Sequence, residues 1–174
     1  LRRSYVVEGR RHENSAEHSW HVALMALVLC EHAEEPVDAG RVACMMIVHD
    51  LVEIDAGDTF LYDEAGRAAK AQQELRAAQR VFGLLPGEQG SSLRGLWEEY
   101  ETGETPEARM ARAVDRLMPL LHNYHTQGKA WKEHGVTRQQ VVRANRHIAD
   151  GSERLWEFAR GLIERAVERG YLAA

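Results

Sequence analysis

The stretch NSAEHSWHVALMALVL, residues 14–29, decides the fold class of this chain. Asn14 is a favourable N-cap residue, and Glu17 stands three positions later, where a capping box needs an acidic or amide side chain. Apolar residues follow at helical spacing, which predicts an amphipathic helix. We expect the buried face of this helix to consist of Trp20, Leu24, Leu27 and Val28.

Helical patterns recur along the rest of the chain, whereas the period-2 alternation that indicates strands never persists for the length of a strand. Further helices are predicted over 63–82 and 91–102. Capping residues predict helix starts at Asp38, Thr105-Pro106, Thr137 and Ser152. The second helix is expected to run unbroken from Asp38 to about residues 55–58. We therefore predict an all-α globule of about six to seven helices.

The composition is that of an ordinary globular protein. The chain has 174 residues, of which 44% are hydrophobic and 28% are charged, and this fits one domain over residues 1–174. The formal net charge of −5 argues against binding to nucleic acid or to an anionic membrane surface. No apolar run has the length of a membrane span. Cys30 and Cys44 show no disulfide framework, so we expect a cytoplasmic location.

The densest group of ionisable residues is the segment VHDLVE, residues 48–53, which follows a strongly apolar stretch. On an unbroken helix, Glu53 would share a face with His49 and Asp50. A His-Asp pair arises easily by chance, so one interpretation is a satisfied histidine beside a helix-end acid. The other is that His49 and Asp50 hold a metal ion, to which other helices supply the remaining ligands.

A second isolated acid, Asp115, interrupts the apolar stripe of a later helix, where an unpaired carboxylate is costly. It could pair with Arg112 or Arg116, or it could be the last ligand of a metal ion held between three helices. In the first helix, His18 and His21 lie one turn apart on the same face, so both are candidate ligands of such an ion.

Three motifs occur in order along the chain: ENSAEHS at 13–19, HDLVE at 49–53 followed by Gly57-Asp58, and DRL at 115–117. This combination resembles the HD-domain metal-dependent phosphohydrolases, and it is similar to the small branch around bacterial 5′-deoxynucleotidase. The likeness covers about residues 1–121. The C-terminal helices, over 137–170, carry no motif and are expected to pack onto that part.

The resemblance implies a role for each residue of a small set. One divalent cation would be held by four ligands: His18, His49, Asp50 and Asp115. Glu53 and Asp58 match the family's catalytic acids, and either could act as the base. Arg2, aided by Arg3, matches an arginine that holds the substrate phosphate. His21 would lie outside the ligand set, as a second-layer or core histidine.

The implied chemistry is metal-assisted hydrolysis. Two imidazoles and two carboxylates suit one divalent ion, either Mn²⁺, Co²⁺, Fe²⁺, Mg²⁺ or Zn²⁺. Metal-activated water would attack the phosphorus of a phosphomonoester. The expected substrate is a nucleoside or deoxynucleoside 5′-monophosphate. A homodimer is expected from the resemblance and from the frequency of dimers among soluble proteins.

Other functions remain open at the level of sequence. Related HD proteins act on pyrophosphate or triphosphate bonds of nucleotides or on cyclic nucleotides. A non-catalytic helical module that binds a metal or a nucleotide belongs to a different class, and the presence of Glu53 and Asp58 beside the ligand motifs argues against it. An acidic helical scaffold without any site would need all its buried acids to be paired by coincidence.

Overall fold

The computed structural model of the protein describes residues 4–7, 11–57 and 67–174. Over these ranges the secondary structure is helical, apart from two isolated β-bridges that join Tyr5 to His12 and Thr137 to Ala173. No β-strand is present in the described ranges. The predicted all-α class is confirmed.

Ten α-helices are present in the described part of the chain. In chain order they are α1 Ser15–Leu29, α2 Ala39–Val48, α3 Glu53–Ala56, α4 Arg67–Phe82, α5 Gly87–Thr102, α6 Pro106–His125, α7 Lys129–Glu133, α8 Arg138–Asn145, α9 Ile148–Gly151 and α10 Glu153–Glu168. Seven of them have eight residues or more, in agreement with the predicted six to seven. The short helices α3, α7 and α9 were not predicted, because four or five residues are too few to show a periodic pattern.

The helix starts that were predicted from capping residues are confirmed, because each depends on a local side chain. The start predicted at residue 91 is wrong, since α5 begins at Gly87, directly after Pro86. The Asn14 side chain accepts a hydrogen bond from the Glu17 backbone N–H at 3.0 Å, and Glu17 accepts one from the Asn14 N–H at 3.2 Å. This completes the capping box of α1. The other predicted capping side chains also accept bonds from the first turn of their helices: Asp38, Thr105, Thr137 and Ser152.

The buried face predicted for α1 is wrong. Its four apolar residues are exposed: Trp20 by 68%, Leu24 by 45%, Leu27 by 56% and Val28 by 59%. The buried positions of α1 are instead His18, Val22, Ala23 and Ala26. This helix is apolar around most of its circumference, so periodicity allows more than one buried face. Small side chains face the core because they let α1 approach α2 and α6, the helices that it contacts.

The second helix ends earlier than predicted. Helix α2 stops at Val48, with His49 as its C-cap. The chain then continues in tight turns whose hydrogen bonds link residues three positions apart. The Leu51 N–H donates to the Val48 carbonyl at 3.1 Å, and the Glu53 N–H donates to the Asp50 carbonyl at 3.0 Å. Side chains three positions apart eclipse one another in such a tight turn. Glu53 therefore shares a face with Asp50, on a turn that replaces the unbroken helix of the prediction.

The core is organised around α6, the longest helix. It contacts α1, α2, α5, α7, α9 and α10. The main core cluster includes Trp131 and Trp156, and a smaller cluster holds Phe82 and Trp97. Because α1, α2 and α6 all pack against each other, polar residues on their facing sides are brought together inside the protein.

Two further properties concern the environment of the protein. None of the described helices combines the length and the apolar character that a membrane crossing requires. Both cysteines are free thiols, with Cys30 half-buried and Cys44 exposed.

Candidate metal centre

Three helices bring a buried group of ionisable side chains together. His18 comes from α1, His49 caps α2, and Asp115 lies in α6; their exposed fractions are 0%, 4% and 6%. Asp115 Oδ1 lies 2.9 Å from His18 Nε2 and 3.6 Å from His49 Nε2. One potential ligand atom from each residue lies within 4.8 Å of the others. Two neutral imidazole nitrogens and a carboxylate oxygen at this spacing suit a divalent metal ion.

Asp50, the fourth predicted ligand, adjoins this group through His49. Its side chain is buried, and Oδ1 lies 3.1 Å from His49 Nε2. Asp50 is outside the set of three residues whose ligand atoms are all mutually close. The structure thus gathers three of the predicted ligands closely and places the fourth beside them.

The backbone sets the orientation of the His49 ring. Nδ1 lies 2.8 Å from the Met46 carbonyl oxygen. Because a carbonyl only accepts, Nδ1 carries a proton, and Nε2 is the nitrogen of this ring that can bind a cation. Nε2 is buried and has no hydrogen bond of acceptable geometry, although Asp50 and Asp115 are both near. A buried nitrogen of this kind beside two carboxylates fits a cation, so these residues fit the implied metal ion.

A buried carboxylate orients the His18 ring in a similar way. Glu13 is 2% exposed, and its Oε2 lies 3.1 Å from His18 Nδ1. Oε1 of the same carboxylate is 4.0 Å from Nδ1 of His122, which is also buried. Carboxylates commonly fix the tautomer of metal-binding histidines through the nitrogen remote from the metal. No role was predicted for Glu13, although it is the first residue of the ENSAEHS motif.

Tyr100 was also missed by the sequence analysis. Its hydroxyl donates a hydrogen bond to Asp115 Oδ2 at 3.0 Å, and its ring centroid lies 5.1 Å from that of His49. Asp115 thus bonds to His18 and Tyr100, and the suggested pairing with Arg112 or Arg116 is not the arrangement found. Tyr100 lies in α5, and its sequence neighbourhood contains no signal for a contact across to α6.

The electrostatics of the group favour a positive charge at its centre. Burial raises the pKa of Asp115, but its contacts with His18 and His49 outweigh burial and hold that pKa well below its usual range. Burial lowers the pKa of His49, but the carboxylates of Asp115 and Asp50 outweigh it and raise the pKa to about 10. The ionised carboxylates therefore favour a cation, whether a proton or a metal, next to His49 Nε2.

The phenol of Tyr100 stays neutral in this setting. Burial, reinforced by the charge of Asp115, raises the pKa of Tyr100 well above its usual range. The hydroxyl therefore keeps its proton and remains a hydrogen-bond donor to the carboxylate.

The remaining predicted site residues differ in what the structure shows of them. Glu53 opens α3 and is half-buried, and its Oε2 atom is fully buried. Asp58, Arg2 and Arg3 lie outside the described residues. The half-buried His21 is not in the group of close ligand atoms; its ring centroid lies 6.2 Å from that of His122.

Known proteins are similar to this chain in sequence. The model of the HD domain family matches residues 1–156. The 5′-deoxynucleotidase HDDC2 of Danio rerio is 28% identical over 163 residues, and the alignment covers 82% of this chain and 79% of the relative. The 5′-deoxynucleotidase HDDC2 of Homo sapiens is 30% identical over 112 residues, covering 64% of this chain and 53% of the relative.

A solved structure is similar over the whole chain. It is the crystal structure of a predicted metal-dependent phosphohydrolase from Magnetospirillum magnetotacticum MS-1, with 53% identity and a TM-score of 0.95. The match covers 100% of this chain and 87% of that one. The resemblance inferred from the three motifs is confirmed, and the chain belongs to the HD domain family.

Proposed function

We propose that this protein is a metal-dependent phosphohydrolase that removes phosphate from nucleoside or deoxynucleoside 5′-monophosphates. The observation that carries this proposal is the position of Asp115 Oδ1, which lies 2.9 Å and 3.6 Å from imidazole nitrogens supplied by two other helices. The similar proteins support the same chemistry by their names: one is called a 5′-deoxynucleotidase, and the other a predicted metal-dependent phosphohydrolase.

In this proposal one divalent cation is held by four residues: His18, His49, Asp50 and Asp115. The tautomer of His49 and the charge of the two carboxylates support this ligand set. Imidazole and carboxylate donors suit Mn²⁺, Co²⁺, Fe²⁺, Mg²⁺ or Zn²⁺. Such a cation, when bound, supplies Lewis-acid chemistry, which polarises a phosphate oxygen and acidifies water.

The other residues would handle the protons and the substrate. Hydrolysis breaks the bond between phosphorus and the 5′ oxygen, adds the oxygen of water to phosphorus, and leaves the nucleoside with a proton on that 5′ oxygen. Glu53 is one tight turn from Asp50 and would take the proton of the attacking water. Asp58 would give a proton to the leaving oxygen, or the two acids would exchange these roles. Arg2 and Arg3 would offset the phosphate charge.

The experiment that tests this function is a substrate panel with purified protein, with and without added divalent metal. It compares nucleoside and deoxynucleoside 5′-monophosphates with a dinucleoside pyrophosphate, a nucleoside triphosphate and a cyclic nucleotide. We expect metal-dependent release of inorganic phosphate from the monophosphates, and its loss in the Asp50→Ala variant. Turnover of a pyrophosphate, triphosphate or cyclic substrate alone would assign a different hydrolase activity. A complete lack of turnover would favour a binding module.

We also propose that the protein is a cytoplasmic homodimer built from one HD domain over residues 1–174. Trp20, Leu24 and Leu27 are exposed and lie at helical spacing on one side of α1, and a contiguous apolar stripe of this kind is typical of an interaction surface. Two-fold pairing of such a stripe is the commonest arrangement in oligomers. Light scattering should give twice the chain mass for the wild type. The double variant with Leu24→Glu and Leu27→Glu should give the mass of one chain. The two free thiols support a reducing compartment.

A further inference from the structure

Tyr100 touches two of the residues that are proposed to hold the cation. Its hydroxyl donates to Oδ2 of Asp115 at 3.0 Å. Its ring packs against the imidazole of His49, with centroids 5.1 Å apart and an angle of 57° between the planes. The proposed reaction assigns no task to Tyr100, so these two contacts call for a separate explanation.

The two oxygens of Asp115 face different partners. Oδ1 lies 2.9 Å from His18 Nε2 and 3.6 Å from His49 Nε2, whereas Oδ2 accepts the hydrogen bond from Tyr100. A carboxylate can bind a cation through one oxygen or through both. Binding through both would turn Oδ2 towards the cation and would break or weaken its hydrogen bond to Tyr100. The hydroxyl therefore favours binding through Oδ1 only.

The backbone that carries Tyr100 is itself held in place. The preceding residue, Glu99, accepts hydrogen bonds from Arg41 Nε at 3.1 Å and from Thr105 Oγ1 at 2.7 Å. Arg41 lies in α2, and Thr105 is the N-cap of α6. The last turn of α5 is thus tied to both the helix that His49 caps and the helix that carries Asp115. These contacts hold the backbone of Tyr100 beside Asp115.

We propose that Tyr100 is a positioning residue that restricts Asp115 to binding the cation through Oδ1 alone. The consequence is chemical, because an octahedral ion with four single-oxygen or single-nitrogen protein ligands keeps about two positions for water and a phosphate oxygen. An Asp115 that bound through both oxygens would take one of these positions. This inference rests on the proposed function, since it assumes that the cation binds between His18, His49 and Asp115.

The test compares the wild-type protein with Tyr100→Phe, which keeps the ring against His49 and removes only the hydroxyl. Tyr171→Phe is the matched control, because it removes the same hydroxyl from a tyrosine near the C-terminus, whose ring packs against Tyr124. Each protein is titrated with Co²⁺, whose visible absorption reports its coordination number and geometry. We expect wild type and Tyr171→Phe to give the same spectrum. Tyr100→Phe should bind one equivalent with a weaker, shifted band, and should lose about 10–100-fold in kcat/KM.

The outcomes separate the two proposals. If wild type and Tyr171→Phe bind no Co²⁺, both the metal site and the role of Tyr100 are overturned. If wild type binds Co²⁺ and Tyr100→Phe has the same spectrum and activity, only the role of Tyr100 is overturned. A crystal structure of the wild type with Mn²⁺ gives a result even if Tyr100→Phe does not fold. Asp115 bound through Oδ1, with the bond from Tyr100 to Oδ2 intact, would support the inference; Asp115 bound through both oxygens would overturn it.

Discussion

Glu13 and His18 form a buried pair in which Oε2 of the Glu13 carboxylate accepts a hydrogen bond from His18 Nδ1–H at 3.1 Å. Nε2 of the same ring faces Asp115 at 2.9 Å. Glu13 therefore determines which nitrogen of His18 is available to a cation, and its negative charge makes that nitrogen a stronger donor. A residue that precedes the first helix thus orients a proposed metal ligand inside it.

Glu13→Gln should weaken metal binding by about tenfold without unfolding the protein, because the amide oxygen can still accept the bond while the charge is lost. Isothermal titration with Mn²⁺ measures the affinity. Glu168→Gln, at an exposed position of α10, is the control and should bind as wild type does. Equal affinities in the two variants would contradict the role given to Glu13.

Asp115→Asn should remove the metal site while leaving the helices in place. Ligand binding to the native state raises stability by about 2.7 kcal/mol at a metal concentration one hundred times the Kd. Thermal unfolding of the wild type should therefore shift upwards on addition of Mn²⁺, and the variant should show no shift. Asp150→Asn, at an exposed position of α9, should keep the shift. A metal-dependent shift that persisted in Asp115→Asn would place the metal elsewhere.

Glu53→Gln should separate metal binding from turnover. The variant keeps all four proposed ligands, so its Mn²⁺ affinity should stay close to that of the wild type. General acid–base catalysis typically contributes about 10²–10⁴-fold, so kcat should fall within that range. Asp55 occupies the same turn but pairs with Arg80, and Asp55→Asn should change kcat far less. Full activity of Glu53→Gln would show that another group takes the proton.

The stability of the fold should depend on pH through His147. Burial, together with Arg116 and Arg112, lowers the pKa of His147 to about 4, against about 6.5 in an unfolded chain. The folded state thus favours the neutral ring, and this contribution is complete above pH 6.5 and is lost as the pH falls towards 4. Between pH 7 and pH 4.5, the unfolding free energy of His147→Gln should fall by about 1–3 kcal/mol less than that of the wild type.

Urea denaturation at a series of pH values, with a chelator present, measures this effect. The comparison between wild type and variant removes the contribution of the other titrating groups, which both proteins share. Parallel pH profiles for the two proteins would show that His147 does not contribute.

The parts of the fold that depend on local side chains could be predicted from the sequence. Asn14, Thr105, Thr137 and Ser152 cap helices where expected, because a cap involves residues only two or three positions apart. The buried face of α1 could not be predicted in this way. Packing against α2 and α6 decides it, and the apolar residues of α1 allow several faces.

The site was predictable only as far as its motifs extend. His18 and Asp115 are 97 residues apart, and the order of the motifs indicated that they meet. Tyr100 carries no sign of its contact, because a tyrosine in an amphipathic helix is an ordinary residue, and Glu13 is marked only by its place at the start of the ENSAEHS motif. The end of α2 at Val48 was missed because a tight turn keeps a nearly helical backbone, with no glycine or proline to mark the change.

The most direct test of the central claim is anomalous diffraction from a crystal grown with Mn²⁺, recorded on both sides of the metal absorption edge. We expect one anomalous peak per chain, within bonding distance of His18 Nε2, His49 Nε2 and Asp115 Oδ1. A crystal of active protein with no peak between these three residues, or with its peak elsewhere, would contradict the account.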